Sequence, residues 1–217
     1  RGYDALPPLA GRRVLELGAG TGLGTGGLLA ADAGVVATDL GPRMLGRLHQ
    51  RHPAVPVAVA RAEALPFTDG VFDVVCGAQM WHWVDVPTAA TEAARVLRPG
   101  GWLAVWWNDV DAAGAAWFEA QQQRLEAASP GYRRSYRDRD DADELRPFFR
   151  EVTMWTGAWS RELDLATYER WLRSKSYVQA LPGLEAFLAA ERDSLSRAFP
   201  DGTVVEPFAV RLVLART

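Results

Sequence analysis

Three sets of side chains in this 217-residue sequence are spaced for chemistry. The first is Glu16-Leu17-Gly18-Ala19-Gly20-Thr21-Gly22, an acid two places before three alternate glycines. Glycines without Cβ atoms let a ligand reach the backbone, and the amides at the start of the following helix face it. The spacing does not suit a dinucleotide, whose fingerprint places its third glycine where Leu23 stands. Glu16 would also repel a pyrophosphate and attract a cationic or amino-bearing ligand. The second set is Asp39 alone, about twenty residues beyond the first glycine, where nucleoside-binding α/β folds place an acid for ribose hydroxyls. A carboxylate accepts from both hydroxyls at once, and the same residue also suits a helix cap before Pro42. The third is His82, inside Gln79-Met80-Trp81-His82-Trp83. With an unperturbed pKa near ~6.5 it can act as a neutral base, bind an anion as a cation, or simply order its loop.

Other reactive types are excused by context. His49 and His52 fall at the end of a helix with no carboxylate or cysteine to complete a ligand set, so no metal site is expected. Cys76 lies in the apolar run Phe72-Asp73-Val74-Val75-Cys76 and reads as a buried structural thiol. One cysteine makes no disulfide framework, which suits a reducing, cytoplasmic setting. A net charge of −3 without a Lys/Arg cluster argues against nucleic acid and for a small-molecule partner. No run reaches membrane-spanning length, and Arg1-Gly2-Tyr3-Asp4 has no signal-peptide character, so a soluble protein is expected. The chain does not begin with methionine, which leaves open whether residues precede it. Oligomeric state is not legible.

The elements that must position these residues alternate. Strands are expected at Val14–Leu17, Val35–Thr38, Val55–Ala60, Phe72–Ala78 and Trp102–Trp107, with helices at Leu23–Ala31, Pro42–Arg51 and Pro87–Leu97 between them. That alternation predicts a doubly wound, mostly parallel α/β sheet with right-handed crossovers. In such a sheet the glycine loop, Asp39, the loop Arg61–Glu63, Gln79–Trp83 and Trp107-Asn108 all leave strand C-terminal ends and meet at one crevice. Trp106 and Trp107 must face opposite sides of the sheet. Beyond Asn108, a helix is expected over Ala112–Ala128, then an exposed, mobile charged stretch at Tyr132–Asp143. Val152–Thr156 and Val204–Leu214 read as the last two strands, forming an antiparallel edge. Helices Leu165–Leu172 and Leu184–Phe199, joined through Ser174-Lys175-Ser176-Tyr177, read as an inserted lid. Arg133, Arg134, Arg137 and Lys175 are available to an acidic substrate, although solvated charges account for them equally simply.

The sequence resembles the class I S-adenosylmethionine-dependent methyltransferases of type 11. The resemblance covers Val14 to Asn108 and rests on Glu-Leu-Gly-Ala-Gly-Thr-Gly, Asp39, Ala-Glu-Ala-Leu-Pro-Phe, Phe-Asp-Val-Val, His82-Trp83 and Leu-Arg-Pro-Gly-Gly. The His-Trp pair resembles the subset that includes trans-aconitate methyltransferase-like proteins. The resemblance implies a seven-stranded Rossmann-like sheet with an antiparallel last strand and a helical lid. It implies one domain over 1–217, with a cofactor-binding half at 1–109 and lid elements at 110–150 and 160–200. S-adenosylmethionine is the implied cofactor, held by Glu16, Gly18, Ala19, Gly20, Asp39, Leu40, Met44, Ala62, Glu63 and Gln79. His82 is the implied catalytic residue, with Trp81, Trp83, Trp107, Asn108 and Tyr177 toward the acceptor. One position departs: where the family carries an acid for the adenine amine, this chain has Arg61, leaving that task to Glu63 or to backbone near Ala62. The implied reaction is in-line methyl transfer to a small molecule, O-methylation of a carboxylate or hydroxyl being favoured. No Asn/Asp-Pro-Pro-Tyr follows the fourth strand, which disfavours amino-methylation of DNA bases. A non-catalytic S-adenosylmethionine-binding protein and a nicotinamide-dependent oxidoreductase are the alternatives.

Overall fold

In a computed structural model, residues 6–111, 115–129, 132 and 141–217 are described. Seven strands, β1 (Arg13–Leu17), β2 (Gly34–Asp39), β3 (Val57–Val59), β4 (Phe72–Ala78), β5 (Leu97–Val110), β6 (Glu151–Asp164) and β7 (Thr203–Arg216), form one sheet in the order β3-β2-β1-β4-β5-β7-β6. β1 pairs in parallel with β2 and β4, β2 with β3, and β4 with β5. β7 runs against β5, since Thr217 bonds to Gly101 while Asp111 bonds to Pro207. It also runs against β6, since Arg150 bonds to Arg216 and Leu165 to Gly202. The seven-stranded α/β expectation and its antiparallel last strand are met.

The chain divides into two compact units, one of residues 1–108, 139–157 and 210–217 and the other of 109–138 and 158–209. In the first unit, α1 (Leu23–Ala30), α2 (Pro42–Arg51), α3 (Val86–Val96) and the short α5 (Asp141–Leu145) cover the sheet. Alternation along the strands sorts the core into two faces: Leu15, Leu17 and Trp107 lie in one cluster, Val14, Val35 and Trp106 in the other. The two adjacent tryptophans thus face opposite sides, as pleating requires. The second unit holds α4 (Ala116–Ala128), α6 (Leu165–Arg173), α7 (Ser176–Gln179) and α8 (Leu184–Ala198), which bury Leu125, Tyr168, Leu172, Leu188 and Leu195 together.

Several boundaries differ from the sequence expectation. β3 spans only three residues because Pro56 has no N–H to give, and as an edge strand it leaves Val57 and Val59 exposed. β5 includes the Arg98–Gly101 turn within its length, with Gly100 at φ 76. β6 runs fourteen residues where five were expected; it is an edge strand, mostly exposed, so it lacks a buried face to mark it in the sequence. The charged stretch 132–143 is only partly described, and its end is not mobile coil. Asp141–Leu145 is helical, pinned by buried Ala142 and Leu145. Arg133, Arg134 and Arg137 lie outside the described residues.

Candidate methyl-donor site

The site begins where β1 ends. Val14 and Glu16 share one sheet face, so Glu16 points under α1, where only 2% of it is exposed. Its carboxylate accepts from the Thr25 hydroxyl at 2.5 Å. A Cβ on Gly24 would come 2.5 Å from its other oxygen, so the glycine-rich composition of α1 is what lets the helix close over the acid. Burial pushes the Glu16 carboxyl up to about 7, opposed only in part by the Thr25 bond. Glu16 is therefore a support beneath the glycine loop, and it does not line the cavity above it.

Gly18, Gly20 and Gly22 have φ of 60, 56 and 82, a left-handed region open at little cost only to glycine. The Ala19 amide donates to Thr38 O at 2.9 Å, tying the loop to β2. Asp39, at the end of β2, completes the tie: one carboxylate oxygen accepts the Gly20 amide at 2.9 Å, the other the Gly41 amide at 2.7 Å. Asp39 is not the helix cap, since the N-cap of α2 is Gly41 and no side chain caps it; Asp39 closes the turn leading into Gly41 and holds the glycine loop, and each oxygen keeps a second acceptor site for a ligand hydroxyl.

A cavity of about 270 Å³ opens beside this loop, lined by Leu17, Gly18, Thr38, Asp39, Leu40, Ala60, Arg61, Ala62, Glu63, Met80, Trp83 and Val84. It gathers the C-terminal ends of β1, β2, β3 and β4, the crevice that a doubly wound sheet provides for ligands. A broader cleft, about 630 Å³, lies elsewhere, lined by Arg13, Gly34, Arg51 and Pro56; it contains none of the glycine-loop residues, so the smaller cavity is the candidate donor site.

Of the residues expected at the donor, Gly18, Asp39, Leu40, Ala62 and Glu63 line this cavity, and Ala19 and Gly20 form the loop beside it. Met44 packs near Gly41 and is outside the lining. Gln79 holds φ 55, unusual for a non-glycine residue, pinned by its amide donating to Trp106 O at 2.9 Å and its Nε2 donating to Asn108 O at 2.7 Å. Burial alone would raise the Glu63 carboxyl, but the Asp85 amide and the Arg61 guanidinium outweigh it and hold it below the usual glutamate value. Arg61, which replaces the family acid, is thereby engaged by Glu63 at 3.5 Å.

Met80 lies in the Gln79–Trp83 segment expected at the crevice, with no role of its own expected from the sequence. Its side chain occupies the space left by two glycines: a Cβ on Gly18 would lie 2.9 Å from Met80 Cβ, and one on Gly77 2.8 Å from its sulfur. The signal was present in Gly77, a glycine at the end of an apolar strand that has no turn to make.

The acceptor-side residues separate. Trp81 is fully buried in the core cluster that holds Val86, Ala89 and Ala93, which takes it away from the acceptor-side place the resemblance implies. The short 3₁₀ turn Trp81–Trp83 rotates it inward while leaving Trp83 82% exposed on the cavity wall. Trp107 is also buried, but its indole N–H points at His82 Nδ1, 3.4 Å away. An indole can only donate, so Nδ1 must offer its lone pair and the ring proton of a neutral His82 sits on Nε2. Trp83 lies 5.0 Å from the His82 ring. Tyr177 belongs to the second unit, 5.3 Å from Tyr132.

His52 bonds to Gly22 O at 3.1 Å, a role in the loop and not in a metal site, and no cluster of His, Cys, Asp or Glu suited to a metal exists among the described residues. Burial, and then Glu16, raise the Cys76 thiol well above its usual value, so it is inert. No helix of the described residues is long and apolar enough to cross a membrane.

Residues 15–105 match a family model described as a methyltransferase domain. The chain is 31% identical over 191 residues to an uncharacterized methyltransferase of Schizosaccharomyces pombe, covering 86% of this chain and 74% of that protein. The chain belongs to the class I S-adenosylmethionine-dependent methyltransferases. An uncharacterized methyltransferase of Mycobacterium tuberculosis is 48% identical over 108 residues, 50% of this chain and 44% of that one, so the match spans under half of that relative's length. A solved structure from Anaeromyxobacter dehalogenans shares the fold, with a TM-score of 0.74 at 24% identity over 94% of this chain and 89% of that one.

Proposed function

We propose that this methyltransferase transfers the methyl group of S-adenosylmethionine to an oxygen of a small molecule, a carboxylate or a hydroxyl. The observation that carries the donor half is Asp39, whose two oxygens hold the glycine loop at a cavity built from four strand ends while retaining capacity for ribose hydroxyls. The residues present fit that donor. Gly20 has nothing within 4 Å of where a Cβ would lie, so the loop is open to a ligand. Leu40, 65% exposed, and Ala62 offer apolar walls for a base. The donor would supply an electrophilic methyl on a sulfonium, so transfer breaks a carbon–sulfur bond, forms a carbon–oxygen bond and leaves a neutral thioether; a carboxylate becomes a neutral ester, whereas a hydroxyl also gives up its proton to water.

Such a displacement is helped mainly by holding the reactants in line and by excluding water. His82 is assigned to the acceptor, as an Nε2–H donor that positions the nucleophilic oxygen.

The test is a panel of carboxylic acids, phenols, alcohols and amines incubated with methyl-labelled S-adenosylmethionine. Label recovered in esters or ethers supports the reading. Label recovered only in amines, or in nothing from a protein that saturates with the donor, removes O-methylation; the last outcome leaves a binding protein without turnover.

A further inference from the structure

Lys175 is the one lysine among 24 basic residues of a chain that otherwise uses arginine. It follows the last residue of α6 and its Ser174 cap, and its backbone is fixed: its amide donates to Leu172 O at 3.1 Å and its carbonyl accepts from Val178 and Gln179. The side chain is half-buried, with Nζ 4.1 Å from the centre of the Trp171 ring. The Arg161 guanidinium carbon is 4.7 Å from the same ring and is paired with Glu206, which is fully buried. In this unit Glu191, Glu206, Glu185 and Glu169 each pair with an arginine. Among the described residues none is within ion-pair range of Lys175.

A half-buried ammonium with no counter-ion is costly, and a cation on an indole face recovers only part of that cost. Burial, reinforced by Arg161 and opposed by Glu206, holds the Lys175 amine below its usual value. A bound anion would supply the missing charge. With Arg161 and Lys175 positive and Glu206 negative, the cluster carries one net positive charge, which matches a monoanion better than a dianion.

We propose that Lys175 anchors a binding site for a small monocarboxylate, its ammonium pairing with the ligand carboxylate beside Trp171. The site is built within the second unit alone and is independent of the function proposed above.

A single lysine makes the test direct. Protein labelled with ¹⁵Nζ-lysine gives one side-chain ammonium resonance, which benzoate should shift saturably while inorganic phosphate should not. By calorimetry, Lys175→Met should weaken benzoate binding at least 10-fold and Lys175→Arg should restore part of it. Both variants should bind S-adenosylmethionine as the wild type does, which also reports that they are folded. No benzoate shift, or full benzoate affinity in folded Lys175→Met, overturns the site. Saturation by phosphate at similar concentration overturns the monocarboxylate assignment. Wild-type protein that binds benzoate through Lys175 but never S-adenosylmethionine upholds this site and defeats the donor reading instead.

Discussion

The indole N–H of Trp107, on β5, reaches Nδ1 of His82, in the turn after β4, across 3.4 Å. A doubly protonated His82 would aim N–H at N–H, and Arg211 stacked 4.8 Å from the Trp107 ring adds positive charge nearby. The contact therefore favours the neutral Nε2–H form, in which, under the function proposed above, His82 offers the acceptor a hydrogen-bond donor, where the sequence left open a base, a cation or a loop-ordering residue.

Imidazole ¹⁵N spectra near neutral pH should therefore show His82 protonated on Nε2 alone. Trp107→Phe should mix the tautomers and cost about 0.5–1.5 kcal/mol of acceptor-dependent kcat/KM, the worth of one neutral hydrogen bond. An unchanged His82 spectrum in a folded Trp107→Phe protein would remove Trp107 from this role.

The glycines of the site separate into two kinds. Gly20→Val should abolish donor binding, because its side chain enters the open space beside Asp39. Stability should fall by only about 1–3 kcal/mol, the cost of a strained left-handed residue. Gly77→Val should damage folding first, since Met80 already fills its space. Melting temperatures and donor titrations of the two variants, read together, check this; a Gly20→Val protein that still binds tightly would take the loop out of the site.

Glu16 gives a stability prediction with a definite sign. An unfolded glutamate loses its proton above about 4.5, whereas the buried one keeps it until about 7. Between those values folding takes up a proton, so stability falls as pH rises through the window and levels off above it. Glu16→Gln, which retains an acceptor for Thr25, should be more stable than wild type by about 2–3 kcal/mol at pH 8 and nearly equal to it below pH 4.5. Denaturant midpoints at the two pH values measure the difference. Equal stability at pH 8 would show that Glu16 is better solvated than its burial implies.

The first half of the chain was legible because its strands are buried and its turns are glycines. β1, β2, β4 and the helices between them announce themselves by apolar runs and by Gly18–Gly22, Asp39 and Pro42. What could not be read depends on packing across the sheet. The burial of Glu16 needs the closeness of α1, set by a glycine at position 24 that looks like simple flexibility in sequence. The inward turn of Trp81 and outward turn of Trp83 are decided by three residues of 3₁₀ helix. The length of β6 is invisible because an exposed edge strand has no hydrophobic face to repeat.

The measurement that bears most directly on the whole account is calorimetric titration of the wild type and of Asp39→Ala with S-adenosylmethionine, with NAD in parallel. The account predicts one saturable S-adenosylmethionine site in the wild type, weakened by about 1.5–3 kcal/mol in Asp39→Ala, roughly 10–150-fold, and no saturation by NAD. Folded wild-type protein that fails to saturate with S-adenosylmethionine, saturates with NAD instead, or loses nothing on removal of the Asp39 carboxylate would contradict it.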